Sequence, residues 1–375
     1  MLTPGRPATS VQQSFTMGVE EEYQIIDSET RSLRQRAEAI LSQAESSPVN
    51  VEAELQLSQI EIGTPVCDSL AQVRAELVRS RRAVGVAAAR EGLLIGAAGS
   101  HPLADPTDQT ITPKERYLGM AEDYGRLARE QIVFGFHVHV GIDGREAAVQ
   151  TMNRVRGRLS PLLALGGSSP FWIGRDTGYS SYRTDVWGRW PMAGPPEMFR
   201  SRAEYEDVIK LLVVTESIAE ETRIYWDVRP SARFDTLEYR VTDVCMTVDE
   251  AVMVAGLARA LTRRCYEQAL TDEAIPAVRP ELLRAAKWRA ARYGLDATLV
   301  DVHEQTSRPA LEVIDGWLTF LRPSLEDNGD WTEISALVQQ TIEGGTGAAR
   351  QRNAFARGRR LEDVVDLIVS ETGAS

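Results

Sequence analysis

The pattern of hydrophobic and polar positions divides the chain in two. Up to about residue 245, short apolar runs stand between polar helical stretches. From about Asp249 onward the apolar spacing of three and four is almost wholly helical. Residues 15–27 alternate and are rich in Val, Ile, Tyr and Phe, which predicts a strand. Residues 31–46 predict a short polar helix and 51–63 an extended segment. Asp68 is the expected cap of a long helix that ends near Gly92. "LLIGAAGS" predicts a buried strand and a glycine turn, 113–130 a polar helix, "QIVFGFHVHVGID" a second strong strand, and 145–165 and 205–221 two more helices. "IYWDVRPS" and "TLEYRVTD" predict two strands joined by a turn. Between those two helices, 166–200 is long and irregular, and its aromatics from Phe171 to Trp190 argue against disorder. Short strands interleaved with helices, without regular βαβ spacing or a GxGxxG, predict an α+β fold on an antiparallel sheet rather than a doubly wound one.

No linker, repeat or low-complexity block breaks the chain, so 15–375 is expected to form one domain with a helical C-terminal part, after a disordered tail over 1–14. The apolar helices after 249 suit either a core or an interface between copies in a homo-oligomer. The net charge of −12 disfavours nucleic acid and anionic membranes as partners. It also means that an anionic ligand needs local compensation by metal or arginine. Cys67, Cys245 and Cys265 have no CxxC spacing and read as reduced thiols in a cytoplasm, with Cys67 buried rather than nucleophilic. No apolar run reaches the ~20 residues that span a bilayer.

The chemistry lies in pairs. Glu20 and Glu22 are alternate residues on a strand and share a face, where two carboxylates can bridge a hard divalent cation. Glu21 points the other way, so Glu21→Gln is expected to be tolerated. The plainer account of the pair is a solvated edge strand. His137 and His139 repeat the spacing. The chain has only four His against many carboxylates, which favours magnesium or manganese over zinc. Glu238 and Arg240 form a third pair, suited to a metal and the phosphate it carries, or else simply an ion pair along the strand. Glu54 and Glu61 share a face only if a bulge or turn interrupts the chain near Ser58.

Three such strand pairs suggest one sheet face lined with carboxylates, a histidine and arginine: a cleft for metal-bound nucleotide. The 166–200 segment reads either as a substrate lid using Ser168, Ser169, Asp176, Thr177 and Ser181, or as a rigid loop pinned by Phe171, Trp172, Trp187 and Trp190. "RSRRAVGVAAAR" reads as a solvated helix face. "EGGTGAAR" reads as a helix end and turn rather than a phosphate cradle. A metal-dependent hydrolase using His137 and His139, or a nucleotide sensor without activity, are the rival functions.

"GVEEEYQIID", "ELQLSQIEIGTP", "FGFHVHVGI", "SSPFWIGRDTGYSSYR", "WDVRPS" and "TLEYRVTD" together resemble the bacterial carboxylate–amine ligases, also called glutamate–cysteine ligase type 2. The resemblance covers roughly 17–245, and "GTGAARQR" is similar as well. It implies a fold like the catalytic part of glutamine synthetase and the guanido kinases, a curved antiparallel sheet with helices behind it. It implies ATP with Mg2+ or Mn2+, and small-molecule carboxylate and amine substrates. Carried onto this sequence, it implies metal ligation by Glu20, Glu22, Glu54, Glu61, His137 and Glu238. Arg229 and Arg240 would address ATP phosphates and act in catalysis, with His139 a further cofactor contact. Arg183, Ser169 and Thr177 would bind substrate. The implied reaction is amide formation through an acyl phosphate, with glutamate and cysteine as one candidate pair.

Overall fold

The structure is a computed structural model that describes residues 15–44 and 49–374. The tail expected over 1–14, and the end of the helix expected over 31–46, lie outside those residues; the described part of that helix is Ala37–Ala44. The centre is a seven-stranded sheet. Its strands are β1 (Met17–Asp27), β2 (Asn50–Ala53), β3 (Gln59–Gly63), β4 (Leu93–Gly96), β5 (Gly135–Gly141), β6 (Val228–Pro230) and β7 (Thr236–Asp243). They run in the order β6-β7-β5-β1-β3-β2, with β4 also paired to β1. Every pairing is antiparallel, as the lack of βαβ spacing predicts.

Alternation gives the sheet two unlike faces. Val19, Glu21 and Tyr23 of β1 and Phe136, Val138 and Val140 of β5 are buried on the side covered by helices. The helix Leu70–Arg90 lies there because Leu70, Val73, Leu77, Val84 and Ala88 make one apolar stripe. Its cap is Ser69, whose Oγ accepts from Gln72 N at 3.3 Å, not Asp68. The helix Val248–Leu270 starts with a capping box at Thr247 and Glu250, and its Thr262 meets the Tyr239 hydroxyl of β7 at 2.8 Å.

Two expectations about charge are corrected on this covered side. Glu21 is completely buried, and the same is true of Arg81, which lies on the inner stripe of its helix although the run around it read as solvated. Arg81 Nη2 donates to Glu21 Oε1 at 2.6 Å and Nε to Oε2 at 3.0 Å, and the Tyr23 hydroxyl donates to the same carboxylate. Residues facing away from a cleft meet the helix layer here, not water, so a charge there needs a partner.

The 166–200 segment is tied down. Ser168 N and Ser169 Oγ donate to Asp243 Oδ2 at 2.8 and 2.7 Å, and Ser181 Oγ donates to Oδ1 at 2.6 Å. Gly99 passes so close that a Cβ there would lie 2.5 Å from Asp243 Cγ. The segment contains a short helix, Tyr182–Trp187. These bonds favour the pinned loop over the lid.

The helices expected over 113–130 and 205–221 are shorter, Glu115–Asp123 with a further turn at Arg126–Arg129, and Arg202–Val214. The C-terminal part is helical except for a hairpin of Thr298–Asp301 with Thr306–Pro309 that its spacing did not announce. In the "GGTGAAR" segment Thr346 caps the helix Gly347–Gly358, as a turn between helices should. That helix closes onto the loop, with Gln351 Nε2 donating to Ser168 O at 2.7 Å. No helix among the described residues is long and apolar enough to cross a membrane.

Candidate active site

The uncovered face is organised by strand register. Glu20 on β1 stands opposite His137 on β5, and Glu22 opposite Glu61 on β3. His139 stands opposite Glu238 on β7, which in turn stands opposite Arg229 on β6. Glu54 follows the end of β2, and the chain turns before β3 begins at Gln59, the interruption that the seven-residue spacing required. Five carboxylates (Glu20, Glu22, Glu54, Glu61, Glu238), both histidines, Arg229 and Arg240 thus line one cleft of about 290 Å3.

The cleft has a metal-type centre. Ligand atoms of Glu20, Glu61 and His137 all lie within 4.8 Å of one another. His137 Nδ1 lies 3.0 Å from Glu20 Oε2, while its buried Nε2 has no hydrogen-bond partner. Burial, and next the Arg240 charge, push His137 down to about 4, so its ring is neutral at pH 7. Because the carboxylate only accepts, the proton sits on Nδ1 and Nε2 presents a lone pair. Burial pushes Glu20 up, but hydrogen bonds from His137 and His139 outweigh it and hold the carboxyl well below its usual range. Burial raises Glu61 well above that range, and the charges of Glu20, Glu54 and Glu22 add to it. Glu54 is pushed up to about 7 by burial and the Glu22 charge, and accepts from the Tyr117 hydroxyl. Glu22 is raised by burial despite Arg183, and its Oε2 accepts from Gly135 N at 2.7 Å. Carboxylates crowded in this way favour a cation among them.

At the other end Glu238 has both oxygens engaged. Arg229 Nε donates to Oε2 at 2.8 Å and Nη2 to Oε1 at 3.1 Å, and Arg240 Nη1 also donates to Oε1. His139 Nδ1 lies 2.9 Å from Thr236 Oγ1, and Nε2 approaches Glu20 Oε1 at 3.4 Å. Arg183 is buried just behind the cleft, where the charges of Asp243 and Glu22 act on it. Gly135 admits it, since a Cβ there would lie 2.5 Å from Arg183 Nη2.

Two expected substrate contacts are elsewhere. Ser169 is completely buried, with its hydroxyl donating to Asp243 and accepting from Arg183 N at 3.0 Å. Thr177 Oγ1 donates to Pro170 O at 2.9 Å within its own loop. Both hydroxyls serve the backbone of the 166–200 segment. Conversely, Arg116, Tyr117, Trp187, Trp190 and Tyr225 line the cleft. The sequence marks the two tryptophans only as pins for the loop, and Tyr117 carries no signal there beyond its place in a polar helix.

In architecture, an antiparallel sheet with helices on one side and this acidic open face is of the glutamate–cysteine ligase type. The fold is similar to that of a glutamate–cysteine ligase from Francisella tularensis solved in complex with AMP, with a TM-score of 0.69 over 97% of this chain and 89% of that one, at 10% identity. It is also similar to a bifunctional glutathione synthetase from Pasteurella multocida, at a TM-score of 0.65 over 96% of this chain and 52% of that one and 16% identity. In sequence, residues 16–368 match the family described as glutamate–cysteine ligase family 2. A protein of Frankia alni named "Putative glutamate--cysteine ligase 2-2" is 42% identical over 95% of this chain and 97% of its own length. One of similar name from Rhodopirellula baltica is 39% identical over 95% of this chain and 96% of its own. The chain belongs to glutamate–cysteine ligase family 2.

Proposed function

We propose that the protein is an ATP-dependent carboxylate–amine ligase that activates its acid as an acyl phosphate. The observation that carries this reading is the Glu20–Glu61–His137 cluster, on the same face as the paired Arg229 and Arg240. A carboxylate is a poor electrophile toward an amine. Phosphorylation by ATP supplies a leaving group, after which the amine adds to the carbonyl and phosphate departs. Such a transfer needs positioning and charge neutralisation more than covalent help from the protein.

Glu20, Glu61 and His137 are the proposed centre of a Mg2+ or Mn2+ site, with Glu22 and Glu54 flanking it. The orphaned His137 Nε2 and the crowded carboxylates fit such an ion. When bound, it would neutralise the ATP phosphates and the acceptor carboxylate. Glu238, its oxygens engaged by guanidinium groups, joins that set only by exchanging an arginine; otherwise it positions Arg229 and Arg240 toward phosphate. Arg183 is the proposed partner of a substrate carboxylate, and His139 a further contact to the nucleotide.

The names of the relatives suggest glutamate and cysteine as the acid and amine. The three cysteines are free and buried, which suits a reducing cytoplasm. The test is incubation with Mg–ATP and an amino-acid panel, read by mass spectrometry and phosphate release. An amide product with matching ADP and phosphate is expected. ATP binding without phosphate release from any acid–amine pair would remove the ligase reading. Hydrolysis that needs zinc and no ATP would favour a hydrolase built on His137 and His139.

A further inference from the structure

We infer a second ligand site, separate from the carboxylate cleft, which takes a small molecule bearing an oxyanion at Arg156. It is a cavity of about 530 Å3 walled by residues 153–154 and 156–158, Glu197 and Met198, the stretch 273–281, and His303. None of these residues lines the cleft. The volume is in the range of small-molecule sites, roughly 300–1,000 Å3.

The argument rests on how three neighbouring arginines are satisfied. Arg154 donates to Gln150 O at 3.1 Å and to Glu273 O at 2.7 Å. Arg158 stacks over Phe320, its guanidinium carbon 3.8 Å from the ring centroid. Arg156 lacks an equivalent. It is only 8% exposed, and its Nη1 has no hydrogen-bond partner. Its ion-pair partner, Glu197, stands 3.8 Å away, beyond hydrogen-bond range, with a side chain 64% exposed. Arginine stays charged in a protein, so burial cannot be relieved by losing the proton. A buried guanidinium with a free N–H is costly unless an acceptor completes it, and carboxylate or phosphate oxygens match its geometry.

His303 adds a second unfilled polar group. Both of its ring nitrogens are buried without hydrogen-bond partners. Gly157 leaves it room, since a Cβ there would lie 3.3 Å from Nε2. Burial, and next the Arg158 charge, push His303 down to about 4, so near neutrality it offers one N–H donor and one acceptor. Apart from Glu197, the carboxylates at the cavity have partners of their own: Glu281 pairs with Arg279 at 2.9 Å, and Glu273 accepts from Gln268 at 2.7 Å. Met198, Ile275, Pro276 and Val278 give the cavity apolar walls. The ligand class is therefore a small carboxylate or phosphate ester with a short apolar body.

The test uses the full chain carrying Arg240→Met, which weakens anion binding in the cleft. Calorimetric titration with orthophosphate and, separately, with glutarate distinguishes the two oxyanion sources. Saturable binding of at least one is expected, weakened at least tenfold by adding Arg156→Met and partly kept by Arg156→Lys. Arg156→Met alone should leave basal turnover unchanged. If Arg156→Met does not fold, His303→Leu is expected to weaken the same binding. Crystals soaked in selenate should show anomalous density beside Arg156. Failure of both anions to bind, equal binding with and without Arg156, or selenate confined to the cleft would overturn the inference.

Discussion

Arg81 grips Glu21 through two hydrogen bonds of 2.6 and 3.0 Å, with both side chains sealed from water. Arg81 also donates to the carbonyls of Cys245 and Met246, each at 2.8 Å, so the pair joins β1 to the segment following β7. Removing one partner of a buried pair leaves the other charge stranded, at a cost of about 3–5 kcal/mol. Glu21→Gln is therefore expected to lower unfolding free energy by that amount in urea denaturation. A midpoint unchanged from the parent would show that the pair is dispensable.

Glu20 and Glu22 should behave in the opposite way. Glu20→Gln and Glu22→Gln are expected to reduce ATP-dependent phosphate release at least a hundredfold while unfolding free energy changes by less than about 1 kcal/mol. Glu21→Gln should keep kcat per folded molecule near that of the parent. Equal activity in all three variants would separate the acidic face from the reaction.

A divalent cation should stabilise the chain measurably. Glu61 and Glu54 are held above their usual range by burial and by one another's neighbours, and a cation would relieve that crowding. Adding Mg2+ or Mn2+ without nucleotide is expected to raise the melting temperature, by mass action on the folded state. The rise should vanish in Glu61→Gln and in His137→Leu. Persistence of the same shift in both variants would place the ion elsewhere.

His101 should make stability depend on pH. It is fully buried, with Nε2 2.9 Å from Arg31 O and Nδ1 accepting from Leu103 N at 3.2 Å, which fixes the neutral ring. Burial pushes it down to about 4 from an ordinary 6.5. The unfolded chain therefore takes up the proton first as pH falls. Stability is full above about pH 6.5 and declines toward pH 4, by about 3 kcal/mol from this group. His101→Gln should remove that part of the slope, as comparison of chemical denaturation at pH 7 and pH 5 would show.

Ser169→Ala should affect folding rather than substrate. The hydroxyl links Asp243 to the backbone of Arg183, and its loss strands part of a buried carboxylate. A fall of about 1–3 kcal/mol in stability is expected, with KM for both substrates unchanged. A selective rise in one KM would return Ser169 to the substrate contacts.

Strand periodicity made the open face legible because i and i+2 share a side whatever the tertiary context. Glu20 with Glu22 and His137 with His139 could be read in this way. Their meeting could not, since the Glu20–His137 rung is set by register between strands 117 residues apart. Glu21 points away from the cleft as its spacing predicts, but its burial is not legible: alternation says which way a side chain points, and only packing says what covers it. Ser169 and Thr177 looked like ligand contacts because hydroxyls in an irregular segment serve substrates and loop backbones with the same chemistry. The hairpin at Thr298–Asp301 was hidden because four residues are too few to set a period between two helices.

The bonds converging on Asp243 also join two sides of the cleft. Asp243 ends the strand that carries Arg240, and it holds the loop that carries Trp187 and Trp190. That wall and the arginine strand are one mechanical piece, and prising them apart would break three bonds to a single carboxylate. The opposite rim is the exposed one, where Asn50, Glu52, Arg233 and Phe234 stand at the mouth. A ligand entering across that rim would leave the bonds to Asp243 intact.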